Sequence, residues 1–309
     1  MEGRVNYNVA ILLATFNGMK WLPEQLNSIF KQRDIAITLF ISDDSSFDGT
    51  WEWLNDQFNS DSRVRILPRT KRMGSAGYNF FRLIREVDFT QFDYIALADQ
   101  DDKWQQNKLL RACNVITGLG ADAYSGNIIA FWLNGRKKLI NKSQSQTKWD
   151  FLFDSPGPGC TYLVTKKLAI DIQKFIINNP DRMQKIVIHD LFIYAFARSK
   201  GYQWIIDDVP MMHYRQHTEN QVGANDGLKA YLVRARNVIS GWWLGQVALI
   251  AESLDLFKNP SVNKWFSGSR LGYLMLSLNF WHCRRSLKDK FLFLFFCLLL
   301  MVIGSQPKK

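Results

Sequence analysis

Short apolar runs alternate with polar, glycine-bearing segments through the first two thirds of the chain. Val9–Leu13, Ile35–Ile41, Val64–Leu67 and Tyr94–Ala98 are β-compatible runs too brief for buried helices, and they predict strands. The stretches between them have helical spacing. From Trp21 to Gln32 the apolar positions Trp21, Leu22, Leu26, Ile29 and Phe30 share one face, and Pro23 suits a first helical turn. Thr50–Phe58 and Tyr78–Glu86 repeat the pattern. Strand, loop and helix recurring in this order predict right-handed βαβ units on a mostly parallel sheet flanked by helices, an α/β fold.

The remainder is less regular. Ile128–Leu133 and Thr161–Thr165 read as strands, whereas 134–148, polar and basic, reads as a mobile surface loop. A helix is expected from Lys166 to Ile177 and another from Leu191 to Lys200, opened by His189-Asp190 and closed by Gly201. Trp204–Ile206 is a further strand, followed by His213-Tyr214-Arg215-Gln216-His217. From Leu228 the chain turns helical, basic and aromatic, so an organisational boundary is placed between Gly223 and Gly227, dividing 1–222 from 223–309. Phe291–Ile303 is continuously apolar between Arg284, Arg285, Lys288 and Lys290 on one side and Lys308 and Lys309 on the other. It falls short of the roughly 18–20 residues that span a bilayer. An in-plane anchor or hydrophobic hairpin against anionic headgroups is the preferred expectation, with a core helix or a homo-oligomer interface left open.

Composition narrows the partners. A length of 309 residues suffices for a large core, and a net charge of +11 predicts attraction to a membrane surface, a nucleic acid or a phosphate-bearing substrate. Cys113, Cys160, Cys283 and Cys297 form no C-x-x-C pair and read as reduced cytoplasmic thiols. The polar start, Met1–Asn8, shows no secretory signal.

The chemistry concentrates where the Tyr94 run ends in Asp99, Asp101 and Asp102. Ionised carboxylates cannot follow a strand into the core unpaired, so they belong at its mouth, where open α/β sheets bind ligands. Carboxylate oxygens suit Mg²⁺ or Mn²⁺ rather than zinc, and a hard cation there suggests a diphosphate. A solvated turn capping a helix from about Trp104 is the alternative.

Seven segments line up in order: Ala14-Thr15-Phe16-Asn17-Gly18, Ser42-Asp43-Asp44-Ser45-Ser46-Phe47-Asp48-Gly49-Thr50, Gly74-Ser75-Ala76-Gly77-Tyr78-Asn79, Ala98-Asp99-Gln100-Asp101-Asp102-Lys103-Trp104, Gly159-Cys160-Thr161, His189-Asp190 and Tyr214-Arg215-Gln216-His217. Together they resemble the family 2 GT-A glycosyltransferases, and among them the bacterial rhamnosyltransferase-like enzymes of O-antigen and cell-wall polysaccharide assembly, over roughly 7–222. The resemblance implies a GT-A fold, Rossmann-like, ahead of the helical basic region. It places Thr15, Asn17, Asp43 and Asp44 at the nucleotide, with Asp44 favoured over Asp48, and Gly74 and Asn79 in the loop that approaches the donor. Asp99 would contact ribose or sugar, Asp101 and His217 would hold the divalent ion, and Arg215 would pair with phosphate. Asp102 would support or cap the next helix. Asp190 is the implied base, although the family usually carries Glu-Asp where this chain has His189-Asp190, and N-capping explains the same Asp without catalysis. Gly159, Cys160, His189 and Trp104 fall at the acceptor pocket.

The resulting expectation is an inverting, metal-dependent transferase at the inner face of the cell membrane, moving L-rhamnose from dTDP-rhamnose to a polyprenyl-diphosphate-linked glycan. A UDP-sugar transferase and a catalytically silent membrane scaffold are the alternatives. A processive synthase is disfavoured because Q-x-x-R-W is absent, and a nucleic-acid binder because acids cluster at strand ends and would repel phosphate.

Overall fold

In the computed structural model, which describes residues 7–217 and 235–304, strand β1 (Tyr7–Thr15) is buried on both faces. Its side chains alternate between two cores: Val9, Ile11 and Leu13 join one, Ala10, Leu12 and Ala14 the other. Strands β2 (Ile35–Asp43) and β4 (Tyr94–Ala98) pair parallel to it on either side, with Thr15 opposite Asp43 and Leu13 opposite Ala98. In-register parallel pairing thus brings the carboxyl ends of three strands to one edge. With β3 (Val64–Ile66), β6 (Ala123–Gly126), β9 (Leu163–Thr165) and β10 (Trp204–Asp207) they form a seven-stranded sheet in the order β10-β6-β9-β4-β1-β2-β3. Strand β9 runs antiparallel to both neighbours, β4 and β6, within an otherwise parallel sheet.

Helices α1 (Leu22–Phe30), α2 (Thr50–Phe58), α3 (Ala76–Glu86) and α4 (Lys108–Leu119) follow the expected βα rhythm, and Pro23 lies in the first turn of α1. Three expectations change. No helix begins at Trp104: Lys103–Trp104 is the short strand β5, and α4 starts at Lys108. Residues 134–148 are not all loop, because Lys137–Ile140 forms β8 against β7 (Ile128–Trp132). Its exposed lysines mark it as an edge strand, where charge is tolerated. Thirdly, Met212–Gln216 is strand β11, and it completes a second sheet, β5-β11-β7-β8.

The short helix α5 (Asp150–Phe153), then α6 (Lys166–Asn178), α7 (Pro180–Met183) and α8 (His189–Ser199) cover the second core. The boundary expected at 223–227 lies outside the described residues. Beyond it, helices Trp242–Ser253, Pro260–Trp265, Arg270–Leu278, Phe280–Cys283 and Leu287–Ile303 share that core, since Phe153 packs on Trp243, Trp265, Phe266 and Phe293. Arg285 pins them down: buried, it donates to Asp150 Oδ2 (2.9 Å) and to the carbonyls of Asp154 (2.7 Å) and Ser155 (2.6 Å). Among the described residues no helix is long and apolar enough to cross a membrane.

Candidate active site

The loop after β1 is held by the residue between two acids. Gln100 accepts from Thr15 Oγ1 (2.7 Å) and the Phe16 amide (2.8 Å) and donates to the Phe16 carbonyl (3.1 Å). Gly18 is needed beside it, since a Cβ there would lie 2.5 Å from Thr15 Oγ1. Asn17 takes a left-handed conformation (φ 48°), and its side chain accepts from the Phe47 amide. Phe16 then packs edge to face on Phe47, with the Arg72 guanidinium 4.2 Å from the Phe16 ring centre.

Asp43 and Asp44 are buried and divide the work at the end of β2. Asp43 accepts from the Ser46 amide and hydroxyl; burial first, against these bonds and the Arg69 charge, raises its carboxyl above the usual range. Asp44 accepts from the amides of Met73 and Gly74, so it draws the loop ahead of α3 toward the sheet mouth. Asp48 is structural, bonding Met19 and Thr50. Asn79 lies beneath the loop rather than in it: buried, it donates to the carbonyls of Ser42 (2.8 Å) and Thr15 (3.3 Å) and ties β1 to β2.

At the end of β4, Asp101 Oδ2 is 2.7 Å from His217 Nε2, and the His217 ring stacks on Trp21 at 5.4 Å. Arg215, expected at a phosphate, is instead buried and committed to this acidic turn. Its Nε donates to the Asp101 carbonyl (2.7 Å), its amide to Asp102 Oδ1 (3.2 Å), and its guanidinium pairs with Glu24 between the rings of Trp21 and Phe131. Asp102 caps no helix. It is fully buried, Oδ2 has no hydrogen-bond partner, and burial followed by the Asp101 and Asp99 charges pushes its carboxyl well up. Trp104 is likewise a core residue rather than a pocket wall, with the buried Lys108 ammonium 3.5 Å from its ring centre. Burial, then Asp101, with Asp190 adding, hold half-buried Asp99 at about 7.

The opposite wall is the start of α8. Asp190 is not its cap, because Ile188 holds that position; the carboxylate accepts from Ser155 Oγ (3.3 Å) and the Leu191 amide (2.8 Å). His189 stacks on Phe80 at 4.2 Å, is kept neutral by burial, and its Nε2 has no hydrogen-bond partner. That atom faces Gly159, where a Cβ would come within 2.9 Å. Gly159 and His189 therefore share one wall. Cys160, next to Gly159, turns inward: ligand atoms of Asp99 and Asp102 lie within 4.8 Å of its buried thiol, and burial first, then those two carboxylates, push the thiol well above its usual range. Gly77 lets α3 approach this wall: a Cβ would lie 2.1 Å from the Val187 carbonyl.

The donor chemistry fits a divalent ion. Ligand atoms of Asp99, Asp102 and Cys160 lie within 4.8 Å of one another, but a protonated thiol is a poor partner for a hard cation. Asp101 with His217, an oxygen and a nitrogen donor that meet at 2.7 Å with no thiol between them, suits a hard cation better. Gln100, Phe16, Phe47, Arg72 and Ser155 escaped sequence reasoning, since none carries a charge pattern or spacing that announces it; the x of D-x-D was the one available signal.

Residues 10–173 match the family model described as Glycosyl transferase family 2. The chain is 44% identical over 290 residues to dTDP-rhamnosyl transferase RfbG of Shigella flexneri, covering 93% of this chain and 99% of that one. Putative teichuronic acid biosynthesis glycosyltransferase TuaG of Bacillus subtilis is 28% identical over 101 residues, 33% of this chain and 38% of the relative. Among solved structures, S. aureus TarS 1–349 in complex with UDP superposes with a TM-score of 0.54 at 13% identity, covering 97% of this chain and 93% of that chain. Mannosyltransferase PcManGT from Pyrobaculum calidifontis, in complex with GDP-Man and Mn²⁺, gives 0.53 at 13% identity, with 97% and 87% covered.

Proposed function

Because the chain belongs to glycosyl transferase family 2, we propose that it transfers L-rhamnose from dTDP-rhamnose, with inversion, to a hydroxyl of a polyprenyl-diphosphate-linked glycan during cell-surface polysaccharide assembly. The observation that carries the sugar is the end-to-end similarity to a dTDP-rhamnosyl transferase. The site supports the chemistry: the ends of β1, β2 and β4 come to one edge, where Asp43, Asp44, Asp99 and Asp101 lie, and Asp190 is near enough to Asp99 to act on its charge.

In this reading Asp44 and Asn17 frame the nucleoside, and Asp99 meets ribose or sugar. Asp101 and His217 hold a Mg²⁺ or Mn²⁺ ion, which when bound supplies Lewis-acid stabilisation to the departing diphosphate. Asp190 takes the proton from the acceptor hydroxyl as that oxygen attacks the anomeric carbon from the face opposite the nucleotide. Ser155 orients the carboxylate through its hydroxyl. Gly159 and neutral His189 shape the acceptor side. The buried free thiols of Cys113, Cys160, Cys283 and Cys297 agree with a reducing compartment, the inner side of the cell membrane.

Calorimetric titration with dTDP, UDP and GDP, each with and without Mn²⁺, tests the donor. Metal-dependent binding that prefers dTDP, followed by transfer from dTDP-rhamnose, is expected. A UDP or GDP preference would discard rhamnose and keep the transferase; binding to none would leave a silent scaffold.

A further inference from the structure

The last two long helices leave half their surface apolar and bare. In Arg270–Leu278 the exposed apolar positions are Leu271, Leu274 and Leu278, and in Leu287–Ile303 they include Phe291, Phe295 and Val302. Spacings of three, four and seven put each set on one stripe. The stripes adjoin: Leu271 and Leu274 line one groove with Met301 and Val302, and at the other end Phe280 meets Phe291 at 5.9 Å. Leu278 is 74% exposed and Val302 69%, so these are side chains standing in water rather than grazing it. The opposite faces, through Tyr273, Leu276, Phe293, Cys297 and Leu300, are buried, so the pair is a fixed slab with one open side.

Charge decides what covers it. From residue 256 to the end the chain carries nine basic residues and one acid, Asp289. That acid is occupied by Ser286, whose hydroxyl donates to it at 2.6 Å. Arg285 is buried against Asp150 and Asp154, Lys290 is buried and Lys258 faces Asp255, so the exposed cations about this face include Lys264, Arg270 and Lys288. Arg270 borders the groove itself, and the Lys290 ammonium sits 4.1 Å from the ring centre of half-exposed Trp281 at the slab's end. A second copy packed on this face would bring cations against cations about the two-fold axis. Anionic lipid headgroups around an apolar interior match both the rim and the face. The terminal helix, 17 residues long, covers about 25 Å in the membrane plane without spanning it.

We propose that the helix pair Arg270–Leu278 and Leu287–Ile303 docks flat on an anionic lipid bilayer, with its leucine and phenylalanine stripes in the acyl boundary and its cations among the headgroups. Arg285, at the turn between the two helices, then carries the membrane plane to the acceptor side of the cleft. It holds the Ser155 carbonyl, and Ser155 holds Asp190. This goes beyond the catalytic reading, and lipid binding is measurable whether or not transfer occurs.

The experiment is co-sedimentation of the full chain with phosphatidylcholine vesicles, plain or mixed with phosphatidylglycerol. Wild type, Leu278→Asp/Phe295→Asp and Arg270→Glu/Lys288→Glu are compared, with circular dichroism to confirm folding. Binding to the anionic vesicles is expected, about tenfold or more weaker in the apolar variant and about fivefold or more in the charge variant. Equal binding by all three chains, no preference for anionic vesicles, or no binding would each overturn the proposal. So would a lipid-free dimer in analytical ultracentrifugation that Leu278→Asp dissociates.

Discussion

Asp101 and His217 meet at 2.7 Å although 116 residues separate them. The acid lies in the turn after β4 and the imidazole follows β11, so the contact exists only because the second sheet folds back over the mouth of the first. If this pair holds the ion, His217→Ala lowers affinity for Mn²⁺ by about 10–100-fold, and Asp101→Ala removes metal-dependent dTDP binding. Calorimetry checks both; unchanged Mn²⁺ affinity in either variant would reassign the ligands.

Asp190→Asn keeps the shape of the α8 start and the contact with Ser155 but loses the proton acceptor. Turnover is expected to fall about 10²–10⁴-fold while the Kd for dTDP stays put. A variant that loses nucleotide binding along with turnover would point to a structural role instead.

Arg215 acts through other residues. Arg215→Ala removes the donor to the Asp101 carbonyl and leaves Glu24 with Lys103 alone, and it is expected to cost about 2 kcal/mol of stability, below the fully buried figure because Glu24 is half in water. Arg215→Lys keeps the charge but not the fork, so it should recover stability better than metal affinity. Denaturant melts beside Mn²⁺ titrations separate the two, and equal recovery of both would contradict a positioning role.

Gly77→Ala tests close approach. The added methyl would sit 2.1 Å from the Val187 carbonyl, so α3 and the α8 wall must part, at a cost of about 1–3 kcal/mol and with weakened turnover. Gly74, whose φ is +82° with open space around its Cβ position, tests conformation instead: Gly74→Ala strains the loop held by Asp44 and should raise the donor KM more than it lowers stability. Unfolding midpoints and donor kinetics for the two variants are compared; matching profiles would refute the distinction.

Acid should loosen the C-terminal helices. Burial works against the Asp154 charge, but Lys142, Arg284 and Arg285 outweigh it and hold the carboxyl well below the usual range. A depressed folded value means the contribution is present above the ordinary carboxylate pKa of about 4 and is lost as pH falls through the folded value. Wild type should therefore lose stability below about pH 4 more steeply than Asp154→Asn, measured by urea unfolding across that range. Parallel curves would show that the ion cluster does not link the helices to pH.

What the residues determined by themselves was the βα rhythm and the acidic mouth. An apolar run ending in carboxylates has one place to go, and Val9–Thr15, Ile35–Asp43 and Tyr94–Ala98 are local patterns readable without tertiary contacts. Tertiary structure alone decided which polar residues face ligand and which serve the scaffold. Asp101 and Asp102 are neighbours of one type, yet one lies at the mouth beside His217 and the other is sealed under it. Arg215 and Trp104 went to structure for the same reason: β11 and β5 pair across 103–104 and 212–213, a long-range register that no local period encodes. Whether a polar side chain is solvated or buried depends on which distant strand covers it, and that coverage is a property of the assembled sheets rather than of any segment.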